Sequence, residues 1–342
     1  MKANTSAYYR IASPVNSANV LLIGASGHLG QTLRHYAPKV IKLHCPSSAE
    51  LDLCNHDAVR HYIAKQVGEQ RPREAQPGLS TSTAAMTAHQ GNSHSSSWVV
   101  INAAAYTQVD AAETQRVPAK ALNATAVGNL AQLCAQYALP LLHFSTDYVF
   151  DGKKQDPYTP ADSPNPLNYY GYSKHLGEQL LQRYHPQHWL WRVSWLHGPL
   201  GRNFAQNLIA RLQGPNPPQS LPMVQDQIGS PTFSPQLAQT VWQVVLDYFV
   251  AQGVLKAQSG IKTTARQTNP LPWGLYHYCT HLPCSRYAYA KQVLQQAQTQ
   301  GLITQIPILE PATLQEFSAP AVRPYYSALQ CCAELSAIVE RC

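Results

Sequence analysis

Tyr170 and Lys174 stand four residues apart in a stretch, 169–184, whose pattern reads as a helix. Four residues put both side chains on one helix face. A cationic Lys beside a phenol favours the phenolate and would pull the Tyr pKa down from about 10. Such a Tyr can hand a proton to a developing alkoxide. The pair alone is weak evidence: with 19 Tyr in the chain, a second one, Tyr287 and Lys291, also occurs and reads as an ordinary amphipathic helix. Context separates the two. Only Tyr170 follows a run, Ser145-Thr146-Asp147, placed at the C-terminal tip of an expected strand (141–144). Ligands in doubly wound sheets bind outside such tips. Hydroxyls and a carboxylate are therefore expected near Tyr170, although an ordinary capping turn would also use these residue types.

A second chemical signal lies near the start. Gly24, Gly27 and Gly30 form Gly-x-x-Gly-x-x-Gly directly after the apolar run Val20–Ile23 and before a helix-like stretch from Gln31. Glycine permits a tight turn and close approach of backbone to a pyrophosphate, and the helix N-terminus offers free N–H groups to the anion. A NAD-selective site usually ends its second strand in a carboxylate. Here that strand ends Leu43-His44-Cys45 with Ser47 and Ser48 following, and no carboxylate comes before Glu50 and Asp52. With Arg34 and Lys42 nearby in sequence, this favours NADPH, with NADH as the alternative.

Elements that could hold these groups alternate along the chain. Strands are expected at 20–23, 40–43, 98–102, 141–144 and 189–193, and helices at 52–67, 118–138 and 169–184. Such alternation predicts an α/β, doubly wound parallel (Rossmann) sheet with helices on both faces. After Trp195 prolines gather and the pattern changes. Helices at 235–250 and 285–300 suggest a smaller C-terminal substrate-binding lobe. The expected organisation is a tail (1–19), a dinucleotide-binding domain (20–194) and a lobe (195–342) interleaved with returning Rossmann elements. Two polar stretches, 68–97 and 251–272, read as insertions. His89 and His94 in the first are expected to be solvated.

The charged fraction, 13%, is about half the usual value and excludes a charge-driven disordered protein or a coiled coil. No run of 18 apolar residues exists, so no membrane span is expected. The net charge of +7 is too modest and dispersed to indicate nucleic acid; it suits anionic small ligands. The first 19 residues carry no apolar stretch and do not read as a secretory signal. The eight cysteines form no Cys-x-x-Cys. Free thiols in a cytoplasmic protein are therefore expected.

The residues around these motifs are more specific. They include Asn102-Ala103-Ala104-Ala105-Tyr106-Thr107-Gln108-Val109-Asp110 with Glu113, Asn123-Ala124, and Ser145 through Gly152. Further on come Arg192-Val193-Ser194-Trp195, Asn203-Phe204, Asp226-Gln227 with Gly229, Pro231 and Thr232, Gly274 through His277, and Arg323-Pro324 with Ser327 and Leu329. In this order the set resembles the dTDP-4-dehydrorhamnose reductase family of the extended short-chain dehydrogenase/reductases, over about 20–329. The resemblance implies NADPH-dependent reduction of the C4 ketone of dTDP-6-deoxy-L-lyxo-4-hexulose to dTDP-L-rhamnose, the final step of that biosynthesis.

Carried over by motif, Tyr170 is the proton donor, Lys174 holds the nicotinamide ribose and Thr146 polarises the ketone. Asp147, Tyr148, Trp195 and Arg323 fall on the substrate side. Gly24, Ser26, Gly27, His28, Leu29, Gly30, Asp52, Leu53, Ala104, Ala105 and Tyr106 fall on the cofactor side. A homodimer is compatible with the resemblance. Some members use Mg²⁺ at a dimer interface, but its carboxylates have no match here. Val193 stands where the family often has Thr, and the last helix reads as short. The resemblance also reaches the regulatory β subunit of methionine adenosyltransferase and sugar-nucleotide epimerases, which would show no net ketosugar-dependent oxidation of NADPH.

Overall fold

The computed structural model describes residues 17–67, 97–256 and 270–339. Strand β1 (Ala18–Ile23) leads through the glycine turn into helix α1 (His28–His35), followed by β2 (Ile41–His44), α2 (His56–Val67) and β3 (Trp98–Asn102). Two short helices, α3 (Val109–Thr114) and α4 (Arg116–Lys120), then a π turn at Ala121–Thr125, run into α5 (Ala126–Gln136). Next come β4 (Leu141–Thr146), α6 (Tyr169–Tyr184), β5 (His188–Val193) and the short β6 (Leu196–His197). The remainder is α7 (Phe204–Leu212), β7 (Ser220–Val224), β8 (Ile228–Gly229), β9 (Thr232–Phe233), α8 (Ser234–Ala251), β10 (Gly274–Tyr278), β11 (Cys284–Ser285), α9 (Arg286–Thr299), β12 (Ile308–Ala312) and α10 (Ala333–Val339).

Six strands form one parallel sheet in the order β2-β1-β3-β4-β5-β10. β1, β3, β4 and β5 are buried along their whole length. That is why they read as continuous apolar runs: helices cover both faces of a parallel sheet. One face packs Leu29 and Leu33 of α1 with Leu237, Val241 and Trp242 of α8 and Leu335 of α10. The other packs Val59 and Ile63 of α2 with Val127 and Leu130 of α5 and Leu181 of α6. From β1 the chain goes to β2 on one side and on to β3 on the other. The crevice outside the carboxyl ends of β1 and β3 is thus the switch point where ligands bind. A separate apolar cluster, Leu208, Leu212, Leu221, Ala290, Leu294, Ala297 and Ile303, supports the outer elements α7, β7 and α9.

Several boundaries differ from the sequence reading. β1 starts two residues earlier, at Ala18. α2 starts at His56 rather than Asp52, because the Asp52 carboxylate accepts the Cys54 N–H (2.9 Å) in a turn and Asn55 caps the helix through Ala58 N–H (3.1 Å). The helix expected from Pro118 begins at Arg116 and is interrupted by the π turn. The second insertion is narrower than 251–272. α8 runs to Ala251, and Val254, Leu255 and Leu271 are buried in the main core, with the Leu271 carbonyl accepting Trp189 Nε1–H at 3.0 Å. Residues 68–96, with His89 and His94, and 257–269 lie outside the described residues. The short last helix, α10, packs on the sheet side against α8, not in the outer lobe. Among the described residues no helix is long and apolar enough to cross a membrane.

Candidate active site

The glycine turn is fitted against the tip of β3. Gly24 has φ +80°, and a Cβ there would stand 2.5 Å from Ala104 N. A Cβ on Gly30 would stand 2.0 Å from the Gly24 carbonyl oxygen. Both positions therefore require glycine for packing. Gly27 differs: an added Cβ would meet nothing nearer than 3.5 Å, so its open side faces a cavity of about 790 Å³. Ser26, His28 and Leu29 share that wall with it, as do Asp52, Leu53, Ala104 and Ala105. Arg34, Ser47 and Ser48 line the same cavity. There Glu50 is turned to its own loop and accepts the Ser47 N–H at 2.8 Å, which lowers its pKa. One cation and two hydroxyls at this end fit a phosphate on the adenosine ribose. A pyrophosphate fits the space over Gly27 and the first turn of α1.

Past the glycine turn the cavity is walled by Thr146, Asp147, Tyr170, Lys174, Val193 and Trp195. Gly171, which follows Tyr170, makes this convergence possible. Its added Cβ would stand 2.0 Å from the Tyr148 carbonyl oxygen, so only glycine lets the start of α6 press on the turn after β4. Asn168 caps α6 there, its Oδ1 accepting the Gly171 N–H at 2.8 Å. Thr146 is both a cap and a cavity residue: its hydroxyl accepts the Tyr148 N–H (3.1 Å) and donates to Asp147 Oδ1 (3.1 Å). It also stands within hydrogen-bonding reach of the Tyr170 hydroxyl. The second Asp147 oxygen accepts from Ser327 at 2.6 Å, and burial holds this carboxyl up at about 6.

Lys174 is arranged otherwise than expected. Its buried ammonium donates to the Phe144 carbonyl at 2.7 Å and faces His143 Nε2 at 3.3 Å. Burial brings its pKa down to about 8, with the Glu178 charge opposing. The Tyr170 phenol is pushed up by burial, with the Thr146 hydrogen bond opposing, and Lys174 does not offset this. The predicted lowering of the Tyr170 pKa is therefore reversed, because the Lys is held by β4 rather than by the phenol.

Four other expected residues do not line the cavity. Gly30 is a packing position. Tyr106 turns its hydroxyl to Gln115 (2.9 Å), while its backbone N–H and C=O pair with the side chain of Asn123 in the π turn (2.8 and 3.0 Å). Tyr148 packs edge-on to Tyr170 and accepts from Gln227 at 3.4 Å. Arg323 is paired with both oxygens of Asp110 (2.9 and 2.7 Å), clamping the C-terminal segment to α3.

Trp195, by contrast, is on the wall as expected. It has φ +43°, a left-handed conformation that strains a non-glycine residue. Its ring is admitted by Gly229, where a Cβ would stand 2.4 Å from the indole. Its buried Nε1–H has no partner among the described residues. The sequence reading passed over Gly171 and Glu178 and gave Asn123 no role beyond its place in the family motif. Glu178 receives Arg192 Nε–H and Nη2–H at 2.9 and 2.7 Å in a buried pair that ties α6 to β5. An i+4, i+8 spacing from Tyr170 through Lys174 to Glu178 was the available signal.

The description "RmlD substrate binding domain" fits residues 18–340, nearly all of the chain. The chain belongs to the RmlD family. Among proteins similar to it are the dTDP-4-dehydrorhamnose reductases of Aggregatibacter actinomycetemcomitans and Escherichia coli K12. The first is 34% identical over 68% of this chain and 72% of its own length; the second is 28% identical over 91% and 89%. A solved structure of the dTDP-4-dehydrorhamnose reductase of Bacillus anthracis in complex with NADP superposes with a TM-score of 0.72 at 25% identity, covering 95% of this chain and 98% of that one.

Within the RmlD family frame, Val193 on the cavity wall supplies a methyl surface where a hydroxyl was expected. Tyr287 and Lys291 fall on α9 in the outer lobe, and Tyr287 donates to the Leu309 carbonyl at 3.4 Å. Among the described residues no group of three or more His, Cys, Asp or Glu could hold a metal ion.

Proposed function

We propose that this chain reduces the C4 ketone of dTDP-4-dehydrorhamnose with NADPH, giving dTDP-L-rhamnose. The observation that carries this reading is the convergence of Thr146 and Tyr170 on one cavity with the glycine turn. That cavity holds both a dinucleotide cradle and a proton donor. The reduced nicotinamide would supply the hydride. Tyr170 then gives its phenolic proton to the oxygen that was the ketone, and the Thr146 hydroxyl, turning its proton away from Asp147 Oδ1, donates a hydrogen bond to that oxygen as negative charge builds. A phenol whose pKa is held high stays protonated at working pH, which is the form a donor needs. Lys174, held on the cavity wall by the Phe144 carbonyl, is expected to reach the ribose with a cofactor in place. Trp195 forms the wall against which the sugar lies. The division into a cofactor domain (20–194) and a substrate lobe (195–342) is part of this reading.

The free cysteines, seven of them among the described residues, fit a reducing compartment, and we place the enzyme in the cytoplasm. A homodimer is compatible with the family resemblance and is tested by sedimentation velocity. The catalytic reading is tested by following NADPH and NADH oxidation with enzymatically generated dTDP-4-keto sugar. Wild type should turn over with NADPH preferred. Tyr170→Phe should lose roughly 10²–10⁴-fold in kcat while still binding cofactor. Normal turnover by Tyr170→Phe would remove Tyr170 from the role. Absence of any ketosugar-dependent oxidation by wild type would remove the reading itself.

A further inference from the structure

A guanidinium without an acid partner stands at the far side of Trp195. Arg286 opens α9, its backbone N–H bonded to the Gln227 carbonyl at 3.0 Å and the helix capped by Ser285. Its Cζ lies 3.5 Å from the centroid of the Trp195 ring and 4.8 Å from that of Phe204. Aromatic faces orient a cation but do not neutralise it. Among the described residues no carboxylate comes within ion-pair distance of Arg286, and its side chain donates no hydrogen bond. Two other arginines near the site are matched, Arg192 by Glu178 and Arg323 by Asp110, while Arg34 at the dinucleotide end of the cavity is exposed. Burial works against the Arg286 charge, and the negative groups that favour it include Asp147, already bonded to Ser327 and Thr146. Arg286 is half-buried, and a partly desolvated charge with no counter-ion is costly to hold. It is most readily explained by a ligand that brings the counter-charge.

We infer that Arg286 binds the diphosphate of the nucleotide-sugar substrate, an inference that rests on the reductase reading. The planar fork of Arg suits phosphate oxygens, and the stack on Trp195 pre-sets its orientation. The field of Arg286 reaches Asp147 and Tyr148, the residues that flank Thr146 and Tyr170. Trp195 has Arg286 over its ring and also lines the catalytic cavity. Arg286 itself lies outside that wall, so Trp195 is the link: a sugar with its ketone toward Tyr170 would extend along Trp195 to bring its diphosphate to Arg286. Arg323, placed on the substrate side by motif, is already bidentate to Asp110, which leaves Arg286 as the unpaired guanidinium there.

The test is calorimetric titration of the full chain, loaded with NADP⁺, with dTDP and separately with thymidine. Arg286→Gln should weaken dTDP binding roughly tenfold to a hundredfold and leave thymidine binding unchanged. Arg286→Lys, which keeps the charge and loses the fork, should fall between. NADPH binding by each variant reports that the chain is folded. If Arg286→Gln does not fold, Arg286→Lys decides, and wild-type affinity for dTDP in that variant overturns the inference. It is also overturned if Arg286→Gln binds dTDP as tightly as wild type, or loses thymidine and dTDP equally. Wild type that oxidises NADPH with the ketosugar, paired with an unimpaired Arg286→Gln, defeats this inference alone. Wild type with neither dTDP binding nor turnover defeats the reductase reading.

Discussion

Gly171 and Tyr148 meet so closely that a single methyl on Gly171 would stand 2.0 Å from the Tyr148 carbonyl oxygen. This contact sets the distance between the first turn of α6, which carries Tyr170, and the turn after β4, which carries Thr146. Gly171→Ala must push the two apart. Displacements of about 1 Å can cost around a hundredfold in rate. Gly171→Ala is therefore expected to lower kcat at least tenfold while NADPH binding is retained, as measured by stopped-flow turnover beside equilibrium fluorescence titration. Unchanged kcat would mean that the contact does not position Tyr170.

The glycines of the first turn should separate by phenotype. Gly24→Ala collides with Ala104 and strains a positive φ, so it should destabilise the ligand-free fold by about 1–3 kcal/mol. Gly27→Ala meets open space, so stability should stay within about 0.5 kcal/mol while NADPH affinity falls at least tenfold. Denaturant melts and NADPH titrations of both variants check this. If Gly27→Ala binds NADPH normally, the pyrophosphate does not lie over Gly27.

Lys174 gives a pH dependence of known sign. Its pKa is brought down to about 8 by burial, so its charge is present below pH 8 and lost as pH rises through that value. If the ammonium holds the cofactor ribose, NADPH affinity should fall above pH 8. In Lys174→Met the affinity should be lower and flat across that range. Isothermal titration between roughly pH 6.5 and 9.5, on either side of the Lys174 value of about 8, decides it, and a wild-type curve as flat as that of the variant would exclude the role.

The buried Arg192–Glu178 pair should dominate acid stability. Glu178 is held down at about 2 against an ordinary value of 4.5, so its contribution is full above 4.5 and is lost as pH falls toward 2. Arg192→Met leaves a buried carboxylate alone and should cost about 3–5 kcal/mol at neutral pH. Asp147 acts in the opposite sense. Its carboxyl is held up at about 6, so the native state takes up that proton first and gains stability as pH falls through 6. Urea melts of wild type, Arg192→Met and Asp147→Asn between roughly pH 3 and 7, a window that takes in the ordinary 4.5 of Glu178 and the value of about 6 of Asp147, should show both slopes.

The parallel sheet was legible because strands buried on both faces are continuous apolar runs, and the cofactor turn because glycine spacing is local. Thr146 and Tyr170 were legible because strand tips are where such folds bind. The contacts between distant segments were not. Nothing near Arg323 signals that Asp110 holds it. Lys174 read as a partner of Tyr170 because helix spacing is visible in a sequence, whereas the Phe144 carbonyl that captures it is a backbone atom of another element. Arg286 read only as the start of a helix, since the rings beneath it come from β5–β6 and α7. The pairing of Asn123 with Tyr106 depends on a π turn, which leaves no periodic trace in 116–136.

The outer apolar cluster under α7, β7 and α9 is separate from the two clusters flanking the main sheet. Trp195 and Arg286 sit where that small core meets the large one, while the glycine turn belongs wholly to the large one. The cleft is thus founded on two independent supports. Mutational drift in the small core can retune which sugar nucleotide is accepted without loosening the grip on the dinucleotide.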